Sequence, residues 1–279
     1  MRPKRPIRRR KNNNKTYMEE IKKLRELTGA GMVDCKKALD EAGGDINQAV
    51  EILRKKGIAK SAKRGDRVTN EGVIKVLANN GQAYMAELNS ETDFVARNEK
   101  FQEFGDQVLS LLAQGINNLD DLLAASIDNV SVKDALANLS GVIGEKLDIK
   151  RIASVSGASV AAYSHLGGKI GVVVALDQPG KENLAMDIAM QVAAANPKYL
   201  DSSQVDAAEL EKEKEIYREQ LAKEGKPEAI LEKILEGKVA KYYSEVCLVD
   251  QEYIKDDKKK VKDVLGGVKI LDFKRFSLV

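Results

Sequence analysis

Asn79-Asn80-Gly81 separates two runs of alternating apolar residues, Glu71 to Ala78 and Gln82 to Asn89. Asn-Gly between alternating runs is the strongest short-range signal for a β-hairpin, because the tight turn needs a positive φ at its central residues. An amphipathic stretch from Glu99 to Gly115 follows, with Phe101, Phe104, Val108, Leu111 and Leu112 at helical spacing. The same order of elements returns later. Ser159 to Tyr163 and Lys169 to Leu176 read as strands around the turn His165-Leu166-Gly167-Gly168. The Ala-rich run from Asn183 to Ala195 reads as a helix stopped at Asn196-Pro197. A hairpin-then-helix unit used twice predicts an α+β protein whose core is two related subdomains with antiparallel sheets.

The stretches around this repeat predict the other parts. Residues 18–57 hold three short amphipathic segments. Thr28-Gly29 ends the first and Gly43-Gly44 the second, and Asp45 caps the third. This is a three-helix module of the ubiquitin-associated type, too small for a deep core and suited to presenting a surface. Residues 58–70 read as a linker that is partly helical at its start. Residues 71–146 form the first subdomain, with loop and short helix over Gly115 to Asp134 and a helix over Val132 to Ile143. Residues 147–200 and 244–279 form the second, beginning with a strand over Leu147 to Val155. Residues 201–243 are densely charged and read as an inserted helical hairpin, Val205 to Lys223 and Glu228 to Lys241 around Gly225-Lys226-Pro227. After it come a strand at Ser244 to Val249, a helix at Asp257 to Leu265, and a closing strand at Lys269 to Leu278 that returns to the second sheet.

Charge is unevenly spread. Residues 1–17 carry eight Lys or Arg and no acid; subtracting those eight charges from the net +3 leaves −5 for the rest of the 279 residues. The remainder therefore shows no nucleic-acid footprint. The tail is expected to be disordered, since it has little apolar surface to bury. It is either a segment that touches RNA phosphates or an upstream extension ahead of a start at Met18.

No apolar run approaches the ~18 residues of a membrane span, and the basic start lacks the apolar core of a secretory signal. Cys35 and Cys247 read as reduced core thiols of a cytoplasmic protein. With a single His and no Cys-x-x-Cys, neither a metal nor a cofactor is expected. Phosphate-binding glycine loops are absent, and His165 has no triad partners in view. These features describe a binding protein rather than an enzyme.

One stretch offers a contact. Ser90-Glu91-Thr92-Asp93-Phe94-Val95-Ala96-Arg97-Asn98 lies at the junction of the first hairpin and its helix. A rigid frame can hold side chains out to a partner at such a junction. Phe94 allows two readings. It packs beneath the helix as a staple, or it is an anchor whose burial in a partner is worth roughly 1.5–3 kcal/mol. Met32 likewise either fills the module's core or, with Val33, forms its contact surface.

Five segments together resemble elongation factor Ts, the bacterial-type exchange factor for elongation factor Tu. They are LRELTGAGMVDCKKAL with GGDINQAVEILRKKG, then TDFVARN, IGEKLDIKRI and YSHLGGKIGVVVAL, in the family's order and spacing from about Met18 onward. The resemblance implies a translation elongation factor with elongation factor Tu as partner. Thr92, Asp93, Phe94 and Val95 would enter the partner's GTPase domain near its magnesium. Secondary contacts would be made by Arg25, Met32, Val33 and Lys36 in the module and by Ile143, Gly144 and His165 in the core. The hairpin would support a homodimer or a two-to-two complex. Three features depart from the family pattern: the basic tail, a C-terminal helix of some members that is missing after Phe276 to Val279, and a turn after His165 one residue longer than in some members. Two other readings are an RNA- or ribosome-associated protein acting through the tail, and a ubiquitin-like adaptor acting through residues 18–57 alone.

Overall fold

The computed structural model describes the backbone of residues 8–223 and 228–279, and the side chains of residues 16–223 and 230–279. The expected turn Gly225-Lys226-Pro227 and the first seven residues of the expected tail lie outside the described residues.

The module consists of α1 (Arg8–Thr28), α2 (Met32–Glu41) and α3 (Ile46–Ala62). Ile21, Leu24, Cys35, Ala38, Leu39 and Ala49 form its core. Gly43 and Gly44 take φ of +61° and +94°, and the Gly44 amide reaches back to the Leu39 carbonyl at 2.9 Å, which closes α2. The Asp45 carboxylate caps α3 by accepting from the amides of Asn47 and Gln48 at 2.8 and 3.1 Å.

Both outer boundaries of the module differ from expectation. Helix α1 covers Arg8–Thr28 among the described residues, so residues 8–17 are helical where a disordered tail was expected. Tyr17 packs against the module core and its hydroxyl donates to Asp40. Once a helix is anchored, each added residue costs little. At the other end α3 continues to Ala62, which shortens the expected linker to 63–70. Gly57 does not break this helix. It lies against Gly141 of a later helix, so close that a Cβ on Gly141 would sit 2.6 Å from the Gly57 Cα.

Strands β1 (Glu71–Asn79) and β2 (Gln82–Ser90) form the expected hairpin. Asn80 and Gly81 at its tip have φ of +50° and +73°. Next come α4 (Asp93–Ala96), α5 (Glu99–Leu112), α6 (Leu119–Ala124), the small hairpin β3 (Ser126–Ile127) and β4 (Val130–Ser131), α7 (Val132–Ile143) and β5 (Leu147–Ser156). The first sheet has the order β1-β2-β5. Strand β5 therefore joins the first hairpin and not the second, where residues 147–155 were expected. Its sequence pattern suits either sheet, and the choice of neighbour is a tertiary decision.

The second sheet is β10-β7-β6, from β6 (Ser159–His165), β7 (Ile170–Leu176) and β10 (Ile270–Ser277), all antiparallel. The closing strand thus returns as expected. Central β7 is buried on both faces. Val172, Val174 and Leu176 pack on Ile188, Ala189 and Val192 of α8 (Glu182–Ala195). Val173 and Ala175 pack on Ile74, Met85 and Val155 of the first sheet. Gly171 passes so near that sheet that a Cβ there would lie 2.3 Å from Ile74 Cγ2.

The hairpin helices are α9 (Ala207–Lys223) and α10 (Glu228–Val246). Helix α10 absorbs the start of the strand expected at Ser244 to Val249. The Cys247 amide continues the helical pattern to the Tyr243 carbonyl at 2.8 Å, and a 3-10 turn at Leu248–Asp250 follows. The run was apolar enough to be buried but too short to reveal its period. The helix expected at Asp257 to Leu265 is strand in its first four residues and helix only in its last five. Strands β8 (Glu252–Tyr253) and β9 (Asp256–Lys260) pair, and only α11 (Val261–Leu265) is helical. The Asp263 carboxylate accepts from the Lys260 amide at 2.8 Å and sets that late start.

The chain divides into two compact units. One holds the described residues up to 72, with 88–108 and 118–150: the module, the Ser90 to Asn98 junction, α6 and α7. The other holds 73–87, 109–117 and 151–279: the second sheet, most of the first, α8, α9 and α10. Each draws on three separate stretches, whereas the expected subdomains were nearly contiguous.

Candidate partner-binding site

The junction is held at both ends. Ser90 Oγ donates to the Thr92 carbonyl at 2.8 Å, and Thr92 is extended, with φ −127° and ψ 157°. Helix α4 is a single turn, braced along its outer side by an Asp93 to Arg97 ion pair at 2.8 Å. Its carbonyl at Ala96 accepts from Gln102 Nε2. Asn98 Oδ1 then caps α5 by accepting from the amides of Lys100 and Phe101 at 3.1 and 3.4 Å.

Within that turn Val95 and Ala96 face inward and are buried, while Phe94 is 81% exposed. The staple reading fails because Val95 and the fully buried Phe101 occupy the inner side. Successive residues of a helix point about 100° apart, so Val95 and Phe94 cannot share one face. An exposed Phe forgoes burial worth roughly 1.5–3 kcal/mol and is available to a partner.

Two other expected residues lie beside the junction. Gly144, in the left-handed region at φ +94°, ends α7 and follows half-buried Ile143. The next residue, Glu145, reaches Thr92. Its carboxylate accepts from the Thr92 amide at 3.0 Å and from the Thr92 hydroxyl at 2.7 Å. Ser140 Oγ in turn donates to the Glu145 carbonyl at 2.6 Å. Hydrogen bonding from the Lys146 amide, then from Arg67, holds the Glu91 carboxyl below its ordinary value.

The module residues are all on its surface. Arg25 and Lys36 are exposed, and so are Met32 and Val33. Met32 as core filler is overturned, since Cys35, Ala38 and Leu39 occupy that position in α2. The turn Gly29-Ala30-Gly31 lies against α5 and α7: a Cβ on Gly29 would meet Lys100 Nζ at 2.0 Å and Val142 Cγ1 at 3.4 Å. Lys22, Arg25, Glu26, Gly29 and Lys100 line one open hollow.

His165, in the other unit, ends β6 and is exposed. Its Nδ1 is 2.9 Å from the Tyr163 hydroxyl, with the rings 5.8 Å apart. The neighbouring Leu166 was not singled out from sequence. It takes φ +51° and is 62% exposed at the turn tip. Leu27, exposed like Met32 and Val33, was also missed. The signal in both cases was an apolar residue next to glycine-rich turn chemistry. Glu145 carried no sequence signal beyond its place in IGEKLDIKRI. Among the described residues no group of acidic, His or Cys side chains is arranged to hold a metal, and no helix is long and apolar enough to cross a membrane.

A family model described as "Elongation factor TS" matches residues 91–279, from the junction to the last residue. The chain belongs to the elongation factor Ts family. Among curated proteins, elongation factor Ts of a Nitratiruptor species is 45% identical over 279 aligned residues, covering 93% of this chain and 92% of that protein. Elongation factor Ts of Deinococcus deserti is 43% identical over 262 residues, covering 94% and 99%. The mixed helical and antiparallel architecture agrees with membership of the elongation factor Ts family, and the family places the chain in translation elongation.

Proposed function

We propose that this protein is a guanine nucleotide exchange factor that binds elongation factor Tu loaded with GDP and speeds GDP release. The observation that carries this reading is Phe94: a large apolar ring, 81% exposed, on a turn braced at both ends.

A GTPase of this kind holds GDP through phosphate contacts and magnesium. An exchange factor needs no contact with the nucleotide. It needs to bind the nucleotide-free state more tightly than the loaded one, and linkage then weakens the nucleotide by the same ratio. Each ~1.4 kcal/mol of that preference is a factor of ten. In this mechanism Thr92, Asp93 and Phe94 enter the GTPase domain while Val95, expected to join them, stays buried beneath the turn and anchors it, and the ring displaces elements that support the magnesium. Arg25, Met32, Val33 and Lys36 hold a second surface of the partner. Ile143, Gly144 and His165 supply further contacts. No covalent chemistry is required of this chain, and so it is not an enzyme in this reading. The hairpin α9–α10 exposes Ile216 and Ile230, which suits the self-association the family implies.

Stopped-flow release of fluorescently labelled GDP from elongation factor Tu tests the proposal. Added protein should accelerate release, and Phe94→Ala should lose most of that acceleration while folding normally. Full acceleration by Phe94→Ala would refute the wedge.

A further inference from the structure

Glu91-Thr92 and Glu145-Lys146 clasp each other reciprocally. Thr92 gives its amide and hydroxyl to Glu145, and in return the Lys146 amide donates to Glu91 Oε1 at 2.5 Å. The segment that leaves the three-helix module joins the same clasp. Arg67 Nη1 reaches the two Glu91 oxygens at 3.1 and 3.2 Å. Lys146 Nζ donates to the carbonyls of Gly65 and Arg67 at 2.8 and 3.0 Å. Arg64 adds a bond to the Ser140 carbonyl at 3.0 Å.

Helix α4 needs such outside support. Its own turn is closed by an Ala96 amide that is 3.4 Å from the Thr92 carbonyl, a long bond. A single helical turn does not persist by itself, because nucleation fixes several dihedrals for one hydrogen bond. The direction of Phe94 therefore depends on what holds Thr92, together with the burial of Val95 and Ala96 and the Asp93 to Arg97 ion pair. Glu145 supplies a two-point, charged attachment to that residue, which is stronger and more directional than a neutral bond.

We infer that Glu145 is a positioning residue for nucleotide exchange: through Thr92 it fixes the direction in which Phe94 is presented, and through the shared clasp it ties that direction to the segment leaving the module. The inference rests on the exchange-factor reading. A wedge works only if its approach is pre-organised, since a loosely held ring spends its binding energy on being ordered. Glu145 touches neither nucleotide nor magnesium in this scheme and acts only through Thr92.

The test is GDP release from elongation factor Tu with four forms of the full chain: unaltered, Phe94→Ala, Glu145→Ala and the double variant. Glu145→Ala should lower the maximal release rate about tenfold, while the half-saturating concentration changes less than about twofold. In the Phe94→Ala background the same change should cost less than about twofold, because no ring remains to be misdirected. Glu145→Gln keeps one acceptor and should fall between. Amide exchange over residues 92–96 should quicken in Glu145→Ala. Should that variant fail to fold, Glu145→Gln in the two backgrounds makes the same comparison. Equal losses in both backgrounds, or an undiminished rate in Glu145→Ala when Phe94→Ala is slow, overturn the positioning role. If Phe94→Ala itself is fully active, the wedge reading is what fails, and the positioning role falls with it.

Discussion

Gly57 and Gly141 meet backbone to backbone where α3 crosses α7, and the contact is asymmetric. A Cβ added to Gly141 would lie 2.6 Å from the Gly57 Cα and 3.1 Å from its carbonyl group. A Cβ added to Gly57 finds its nearest neighbour, Asn138 Oδ1, at an ordinary 3.5 Å. The two glycines should therefore respond with opposite signs. Gly57→Ala gains helix propensity and should raise stability by about 0.5–1 kcal/mol. Gly141→Ala must push two helices apart and should lose about 1–3 kcal/mol. Denaturant midpoints of the two variants check this. Equal effects would mean that the crossing relaxes freely.

Glu87 is a buried carboxylate, 1% exposed, held by Arg151 at 2.7 Å. The Arg151 guanidinium also lies 4.1 Å from the centre of the Phe276 ring. Arg151→Met should cost about 3 kcal/mol, because it leaves a charge in the interior while removing a counter-ion. Adding Glu87→Gln to that variant should recover part of the loss. Chemical denaturation of the single and double variants measures it, and additive losses would contradict the pairing.

Glu91 carries a pH signature. Its folded value is depressed below the ordinary 4.5, first by the Lys146 amide and then by Arg67. A depressed carboxyl stabilises the fold fully above its unfolded value, and the contribution vanishes as pH falls through the folded one. The melting temperature of Glu91→Gln should thus lie below that of the unaltered protein at pH 6 to 7. The gap should close on acidification below pH 4.5. A constant gap across that range would mean that the carboxylate charge contributes nothing.

Cys35 and Cys247 are free and buried. Burial pushes the Cys247 thiol up to about 11 and raises that of Cys35 as well. Thiolate is the reactive form, so both should resist a thiol reagent at pH 8 in the native protein and react promptly in denaturant. The sign for stability is the reverse of Glu91. The Cys247 contribution is complete below the ordinary 9.0 and is lost as pH rises toward 11. Rapid native labelling of either residue would contradict the burial.

Much of the architecture was legible locally. Asn80-Gly81 announced the first hairpin because few residues tolerate that backbone. Val132 to Ile143 announced α7 because its apolar spacing has only one helical reading. The errors fell where several partners were available. Strand β5 joins the first sheet and not the second, α3 runs on to Ala62 through the start of the expected linker, and the run expected as a strand at Ser244 to Val249 begins as helix.

The residues of this chain determined by themselves which segments bend, which cap and which bury a face, since those are properties of neighbours within a few positions. They also marked Thr92 to Val95 as a junction. Only the tertiary structure decided that Phe94 points outward, that Glu145 grips Thr92 from 53 positions away, and that Gly141 seats α7 on α3. Those outcomes depend on competition for space and hydrogen bonds among distant segments. The interior admits one occupant per site, and Val95 and Phe101, not Phe94, fill the inner side of the junction.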